Sequence, residues 1–212
     1  MVEHVYRRAA LAAVDAVVVA TDDQRIVDAV EAFGGVACMT RADHLTGTDR
    51  LAELVAQFPC DIVVNVQGDE PYIEPAAIDA LVAPLRRDRS EQMTTLCRRL
   101  LPGEDLQSPH LVKVVRDLQG RALYFSRAPI PYPRATGGAM AMAHVGVYAY
   151  RRATLLALAA LPPSPLELSE SLEQLRALEH GISIRVVESA YVSLSVDTRD
   201  DLERARRKVQ LT

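Results

Sequence analysis

Cysteine is scarce: Cys38, Cys60 and Cys97 are odd in number, far apart and form no Cys-x-x-Cys pair. That pattern argues against a disulfide framework and offers no zinc site, so the three are expected to be reduced, buried thiols. No stretch approaches the ~18 uninterrupted apolar residues of a membrane span. The nearest is Ala9 to Ala20, which follows Arg7 and Arg8 and has the outline of an export signal. Asp15 interrupts it, and Thr21-Asp22-Asp23 lead into a helical pattern where a small-residue cleavage site would be needed. Strong charge of one sign is missing too, with 24 Lys and Arg against 28 Asp and Glu, a net charge of -4. A mildly acidic surface repels nucleic acid and anionic bilayers, which leaves a small-molecule partner as the expectation, while the reduced thiols suggest a cytoplasmic location. Gly-x-Ser-x-Gly, His-Glu-x-x-His and Gly-x4-Gly-Lys-[Ser/Thr] are absent, removing support for hydrolase-elbow, zincin and P-loop chemistry.

What is present is an alternation of strands and helices. The valine-rich run Ala16 to Ala20 reads as a strand covered on both faces, and Asp22 and Asp23 can cap a helix carrying Ile26, Val30 and Phe33 that stops at Gly34-Gly35. A second buried strand, Ile62 to Val66, ends in Gln67-Gly68-Asp69-Glu70-Pro71, and Pro75 opens a helix with Ile78, Leu81, Val82 and Leu85 on one face. Strands are predicted at 93–98, 112–116, 123–126, 144–150 and 182–187, with Asp117-Leu118-Gln119-Gly120 turning the second into the third. Helices are predicted over 153–161, over 166–178 and from Arg199, where Thr198 and Asp201 have capping-box spacing. The order predicts an α/β fold with a mostly parallel sheet flanked by helices, in a single domain of 212 residues.

In such sheets ligands bind beyond the carboxyl ends of the strands. Asp69 and Asp197 stand at two such ends; each equally suits a local turn or helix cap, and together they suit Mg²⁺, which takes one or two carboxylates plus phosphates and waters. Arg41, Arg50, Lys113 and Arg127 lie near strand ends or loops, where a solvated charge is the ordinary outcome, and His144 equally suits a structural role.

The string Val64-Asn65-Val66-Gln67-Gly68-Asp69-Glu70-Pro71 resembles the metal-binding strand end of the 3-deoxy-manno-octulosonate (KDO) cytidylyltransferases. In the same order, Ala20-Thr21-Asp22-Asp23, Thr40-Arg41-Ala42-Asp43-His44, Gly47-Thr48-Asp49-Arg50, Val112-Lys113-Val114-Val115, Ala122-Leu123-Tyr124-Phe125-Ser126-Arg127, His144-Val145-Gly146-Val147-Tyr148, Pro163-Ser164-Pro165-Leu166-Glu167, Leu172-Glu173-Gln174-Leu175-Arg176 and Val196-Asp197-Thr198 resemble that family across the chain. The resemblance implies a Rossmann-like nucleotidyltransferase sheet with a small β-rich dimerisation lobe, a homodimer, and transfer of CMP from CTP to KDO with release of pyrophosphate, activating the sugar for lipopolysaccharide synthesis. It implies Mg²⁺ on Asp69 and Asp197. Arg127 and His144 would meet the sugar acid, with Tyr148, Glu170 and Gln174 completing that pocket. Gln67, Arg41, Thr46, Gly47, Thr48 and Arg50 would border the nucleotide.

Two departures from the family's pattern stand out. Its members open with a strand and a phosphate-gripping loop, Arg-x-x-Ser-[Ser/Thr]-Arg-Leu-Pro-Gly-Lys-x-Leu, whereas Met1 to Tyr6 resemble the helix that follows; a fragment without that strand is expected to be inactive, and this remains an alternative. Ser193-Leu194-Ser195 replace glycines, and their side chains are expected to crowd the loop before Asp197. A CMP-sialate-type transferase is a further alternative, disfavoured by the Gln67 to Pro71 string and by Tyr124 to Arg127.

Overall fold

The computed structural model describes residues 1–44, 46–135, 138–196 and 198–209, the side chains of 208 and 209 excepted. The described chain divides into two units. The first comprises Met1–Cys60, Asn65–Asp79 and Tyr191–Thr212; the second comprises Asp61–Val64 and Ala80–Ala190.

In the first unit, helix α1 (Val2–Ala9) lays Tyr6 edge-on against Phe33, with ring centroids 5.4 Å apart, and the Tyr6 hydroxyl accepts the Val36 amide. Strand β1 (Val19–Thr21) pairs in parallel with β2 (Ala37–Met39), and helix α2 (Gln24–Ala32) connects them. Asp23 caps α2 by accepting the Arg25 amide at 2.9 Å, and the turn closes through Gly34, whose φ is 80°. The buried stripe of α2 is Val27 and Val30, whereas Ile26, expected on that stripe, is exposed; the helix is turned by one position. Helix α3 (Gly47–Gln57) is capped by Thr46, whose hydroxyl accepts the Asp49 amide at 3.1 Å.

Strand β3 (Ile62–Asn65) and helix α4 (Pro75–Arg87) carry the chain between the units. The predicted face of α4 is the observed one, with Ile78, Leu81, Val82 and Leu85 all buried.

The second unit is built on a sheet ordered β6 (Ala122–Ser126), β5 (Lys113–Arg116), β7 (Met142–Arg151), β4 (Met93–Arg99), β8 (Ile184–Glu188), with β3 also on β7. The β4–β8 pair is parallel, while β4–β7, β5–β7 and β5–β6 are antiparallel, so the sheet is mixed. Six of the seven residues of β4 are buried, and the Thr94 hydroxyl donates to the Leu81 carbonyl, satisfying a polar group inside the core. The β5–β6 turn is as the sequence suggests: the Asp117 carboxylate accepts the amides of Gln119 and Arg121, and Gly120 supplies a φ of 81°. A bulge lies opposite Thr95 and Leu96, where the register on β7 jumps from Tyr148 to Val145.

Helix α5 (Arg152–Ala159) follows β7 directly. The single helix predicted over 166–178 is two, α6 (Pro165–Glu170) and α7 (Gln174–Glu179), because Ser171 takes a left-handed conformation at φ 51°. Two pieces are stable because the Arg176 guanidinium binds the Glu167 carboxylate at 2.5 and 2.7 Å, joining α6 to α7 in a buried ion pair. Helix α8 (Arg199–Val209) belongs to the first unit, and Thr198 and Asp201 cap it reciprocally, the Thr198 amide donating to Asp201 at 2.9 Å and the Asp201 amide to Thr198 at 3.2 Å.

Candidate active site

In the first unit the loops after β1 and β2 converge through Arg50. Its guanidinium donates to the Thr40 hydroxyl and the Arg41 carbonyl, and it pairs with Asp22 at 3.2 Å, so one cation ties the ends of β1 and β2 together. Gln67 reaches Gly47: a Cβ at Gly47 would stand 3.6 Å from the Gln67 amide nitrogen, which donates to Asn65 at 3.3 Å. Thr46 is spent on capping α3, Thr48 is buried at 1% exposure, and Arg41 is exposed and paired with Asp43 at 2.8 Å. Arg50, Gln67 and Gly47 therefore share one locality, whereas Arg41 faces its own carboxylate partner at the surface.

Asp69 is half-buried in the turn after β3, and its carbonyl accepts the Val196 amide at 3.0 Å. Asp197 lies outside the described residues. The neighbouring Glu70 is buried, taking a 2.7 Å bond from the Tyr191 hydroxyl and another from the Ser193 hydroxyl. Ser193, expected to crowd this loop, finds a buried acceptor instead; a polar side chain with a partner costs far less than one without.

In the second unit, Arg127 and Glu170 are brought into direct contact. The Arg127 guanidinium donates to the carbonyls of Glu170 (2.7 Å), Pro109 (2.8 Å) and Ser171 (3.1 Å). The Glu170 carboxylate accepts the Ser126 hydroxyl at 2.6 Å and the Arg127 amide at 2.9 Å. Burial alone would raise that carboxyl's pKa, but those two bonds and the arginine's charge outweigh it and hold the group below its usual range.

His144 and Tyr148 occupy neighbouring positions across the β7 bulge. The His144 ring stands 4.9 Å from Phe125 edge-on and 5.6 Å from Tyr148, and its Nε2 lies 2.9 Å from the Thr95 hydroxyl. Thr95 Oγ1 also lies 2.9 Å from the Val147 carbonyl, so the bulge orients the imidazole through one threonine. Burial pushes the His144 pKa down to about 3 and raises that of Tyr148, keeping both neutral near pH 7. Gln174 is buried at 5% exposure, and its amide nitrogen has no partner among the described residues. A buried amide donor left open points to a ligand or water, since such groups are otherwise satisfied.

The family profile described as "Cytidylyltransferase" matches residues 1–184. The 3-deoxy-manno-octulosonate cytidylyltransferase of Geobacter metallireducens is 53% identical, the match covering 99% of this chain and 87% of that protein. That of Syntrophotalea carbinolica is 55% identical over 96% of this chain and 86% of its own length. This chain belongs to the 3-deoxy-manno-octulosonate cytidylyltransferase family. A solved structure of CMP:2-keto-3-deoxy-manno-octonic acid synthetase complexed with CTP superposes with a TM-score of 0.94 at 47% identity, over 99% of this chain and 87% of that one. A 4-diphosphocytidyl-2C-methyl-D-erythritol synthase from Anaerococcus prevotii, at 14% identity and a TM-score of 0.63, shares the fold alone. The α/β nucleotidyltransferase fold expected from the sequence is therefore the fold of this family member.

For a cytidylyltransferase the donor chemistry around Asp69 fits Mg²⁺. Carboxylate oxygen is the hard ligand this ion selects, and it needs only one or two protein carboxylates beside phosphates. Among the described residues no group of three or more His, Cys, Asp or Glu side chains gathers.

Residues the sequence left without a role also shape the site. Lys113 is fully buried, its ammonium donating to the Ser108 carbonyl at 3.1 Å and to the Arg127 carbonyl. Burial lowers its pKa while the Glu170 charge opposes the shift. Thr95 and Tyr191 carried no motif at all. No pattern in their flanking residues names the partners that their hydroxyls meet.

Proposed function

We propose that this chain transfers CMP from CTP to KDO. The anomeric hydroxyl oxygen of the sugar attacks the α-phosphorus, the bond from that phosphorus to the bridging oxygen breaks, and pyrophosphate leaves. The observation that carries this reading is the match along the whole described fold to a synthetase structure holding CTP, together with close relatives of the same name.

The chain's own residues supply positioning. Arg127 gives three of its five donors to carbonyls, which fixes the guanidinium plane and leaves two donors for the sugar carboxylate. Neutral His144 and Tyr148 offer hydrogen bonds to sugar hydroxyls without adding charge, and Gln174 brings an open amide donor. Gln67, Gly47 and Arg50 border the nucleotide, with Arg41, Thr46 and Thr48 at its margin. Asp69 and Asp197 hold Mg²⁺, which supplies charge neutralisation of the triphosphate so that an oxygen nucleophile can approach it. We also propose a cytoplasmic homodimer serving lipopolysaccharide synthesis, in keeping with the family resemblance.

The direct test is pyrophosphate release from CTP with Mg²⁺ and KDO, using this chain and a version extended upstream, with sialic acid as competitor. Release dependent on KDO is expected. No release from the extended version, or a clear preference for sialic acid, sinks the assignment.

A further inference from the structure

The residue next to Asp69 has a structural use of its own. Glu70 is 7% exposed, and each of its oxygens takes a hydroxyl: Oε2 from Tyr191 at 2.7 Å, Oε1 from Ser193. Tyr191 is itself 2% exposed. One further bond joins the same segments, the Val196 amide to the Asp69 carbonyl at 3.0 Å, and the Tyr72 hydroxyl donates to the Ala205 carbonyl in α8. The turn carrying Asp69 and the segment 191–196 are thus fastened to each other at three points. A buried carboxylate is costly unless its oxygens are bonded, so this arrangement holds its spacing: drawing the segments apart would strand the Glu70 charge.

We propose that Glu70 is a positioning residue, which with Tyr191 and Ser193 fixes the turn bearing Asp69 against the segment 191–196 and thereby sets the affinity for the divalent ion. The proposal rests on the metal reading given above. A glycine at position 193 would leave Oε1 without its hydroxyl, so Ser193 strengthens a fastening that Tyr191 alone would provide from one side.

The test is Mn²⁺ binding followed by electron paramagnetic resonance on the full chain with CTP, alongside CTP binding in the absence of metal. Glu70→Ala is expected to weaken Mn²⁺ binding about tenfold, the lower end of what loss of a supporting group costs a metal site. Glu70→Gln, which keeps one acceptor, is expected to fall between Glu70→Ala and the parent, and metal-free CTP binding is expected to stay within about twofold. Ser193→Ala, a surface-side change, is expected to weaken Mn²⁺ about threefold, and it decides the matter if Glu70→Ala does not fold. Parent-like Mn²⁺ affinity in folded Glu70→Ala, or in Ser193→Ala when the former does not fold, overturns the proposal. Asp69→Asn and Asp197→Asn separate the two readings. If they leave Mn²⁺ binding unchanged, the metal reading falls and this one with it; if they weaken it while Glu70→Ala does not, only the positioning role falls.

Discussion

Arg127 and Glu170 are bonded twice, Arg127 donating each time: its guanidinium to the Glu170 carbonyl at 2.7 Å, and its amide to the Glu170 carboxylate at 2.9 Å. Each residue fixes the backbone of the other, so the cation expected to meet the sugar acid is held before any ligand arrives. Preorganisation of this kind reduces the ordering cost of binding.

Arg127→Lys keeps the charge and loses the fork. A lysine cannot serve the carbonyls of Pro109, Glu170 and Ser171 in one plane and still present a second pair of donors. Steady-state kinetics should show kcat/KM for KDO reduced about 10- to 100-fold, the equivalent of one or two charge-assisted bonds, with KM for CTP within about twofold. A similar loss for both substrates would mean that the residue acts on the fold as a whole.

Arg176→Met strands Glu167. The pair is buried on both sides, and Glu167 also accepts the Ser164 amide, so removing one partner leaves a charge without solvent. Chemical denaturation should find a loss of about 3 kcal/mol, and Arg176→Met with Glu167→Gln should recover a good part of it. Equal losses in the single and double variants would show that packing rather than charge governs the site.

The imidazole of His144 makes stability depend on acid. Its folded pKa is about 3 against an ordinary 6.5, so below pH 6.5 the unfolded chain takes up a proton that the folded chain refuses. The contribution is present in full above pH 6.5 and is lost as pH falls through the window down to about 3. Urea titrations at several pH values should give His144→Asn a shallower slope than the parent, by no more than about 1.4 kcal/mol per pH unit. Parallel slopes would place the ionisation elsewhere.

Gly120→Ala should cost about 1–2 kcal/mol, because φ at this turn is 81° and a Cβ disfavours that conformation. The new methyl would meet Arg185 Nη1 at 3.4 Å, the end of a flexible side chain, so backbone strain accounts for the loss. The denaturation midpoint should fall while both KM values stay unchanged; a parent-like midpoint would refute the strain.

The strand–helix order was legible because 62–64 is an apolar run that ends in a polar turn, and Asp117 to Gly120 carries the chemistry of its turn openly. Strand β2 escaped notice because Ala37–Met39 is three residues long and includes no β-branched side chain. The break at Ser171 is invisible in the spacing of Leu166, Leu172 and Leu175; it depends on Arg127, distant in sequence, drawing the carbonyls of Glu170 and Ser171. For the same reason Arg127 read as an ordinary surface cation until the family resemblance entered: its observed partners are backbone carbonyls, which no side-chain motif encodes. Glu70 was visible within Gln67 to Pro71, but its partners Tyr191 and Ser193 lie more than a hundred residues on.

Strand β4 has a consequence for the order in which the protein assembles. Met93 pairs with Tyr150 on one side and with Ile184 on the other, so its second neighbour follows only after β5, β6 and β7 have been synthesised. Until then one flank of the sheet's most enclosed strand exposes open amides and carbonyls beside apolar side chains, a template for association with other nascent chains. Docking of β8 is also a late step entropically, since the intervening loop must close before its contacts stabilise anything. Pulse-labelled hydrogen exchange should find the β4 amides that face β8 protected after those that face β7, which makes the docking of β8 the moment at which this flank becomes safe from aggregation.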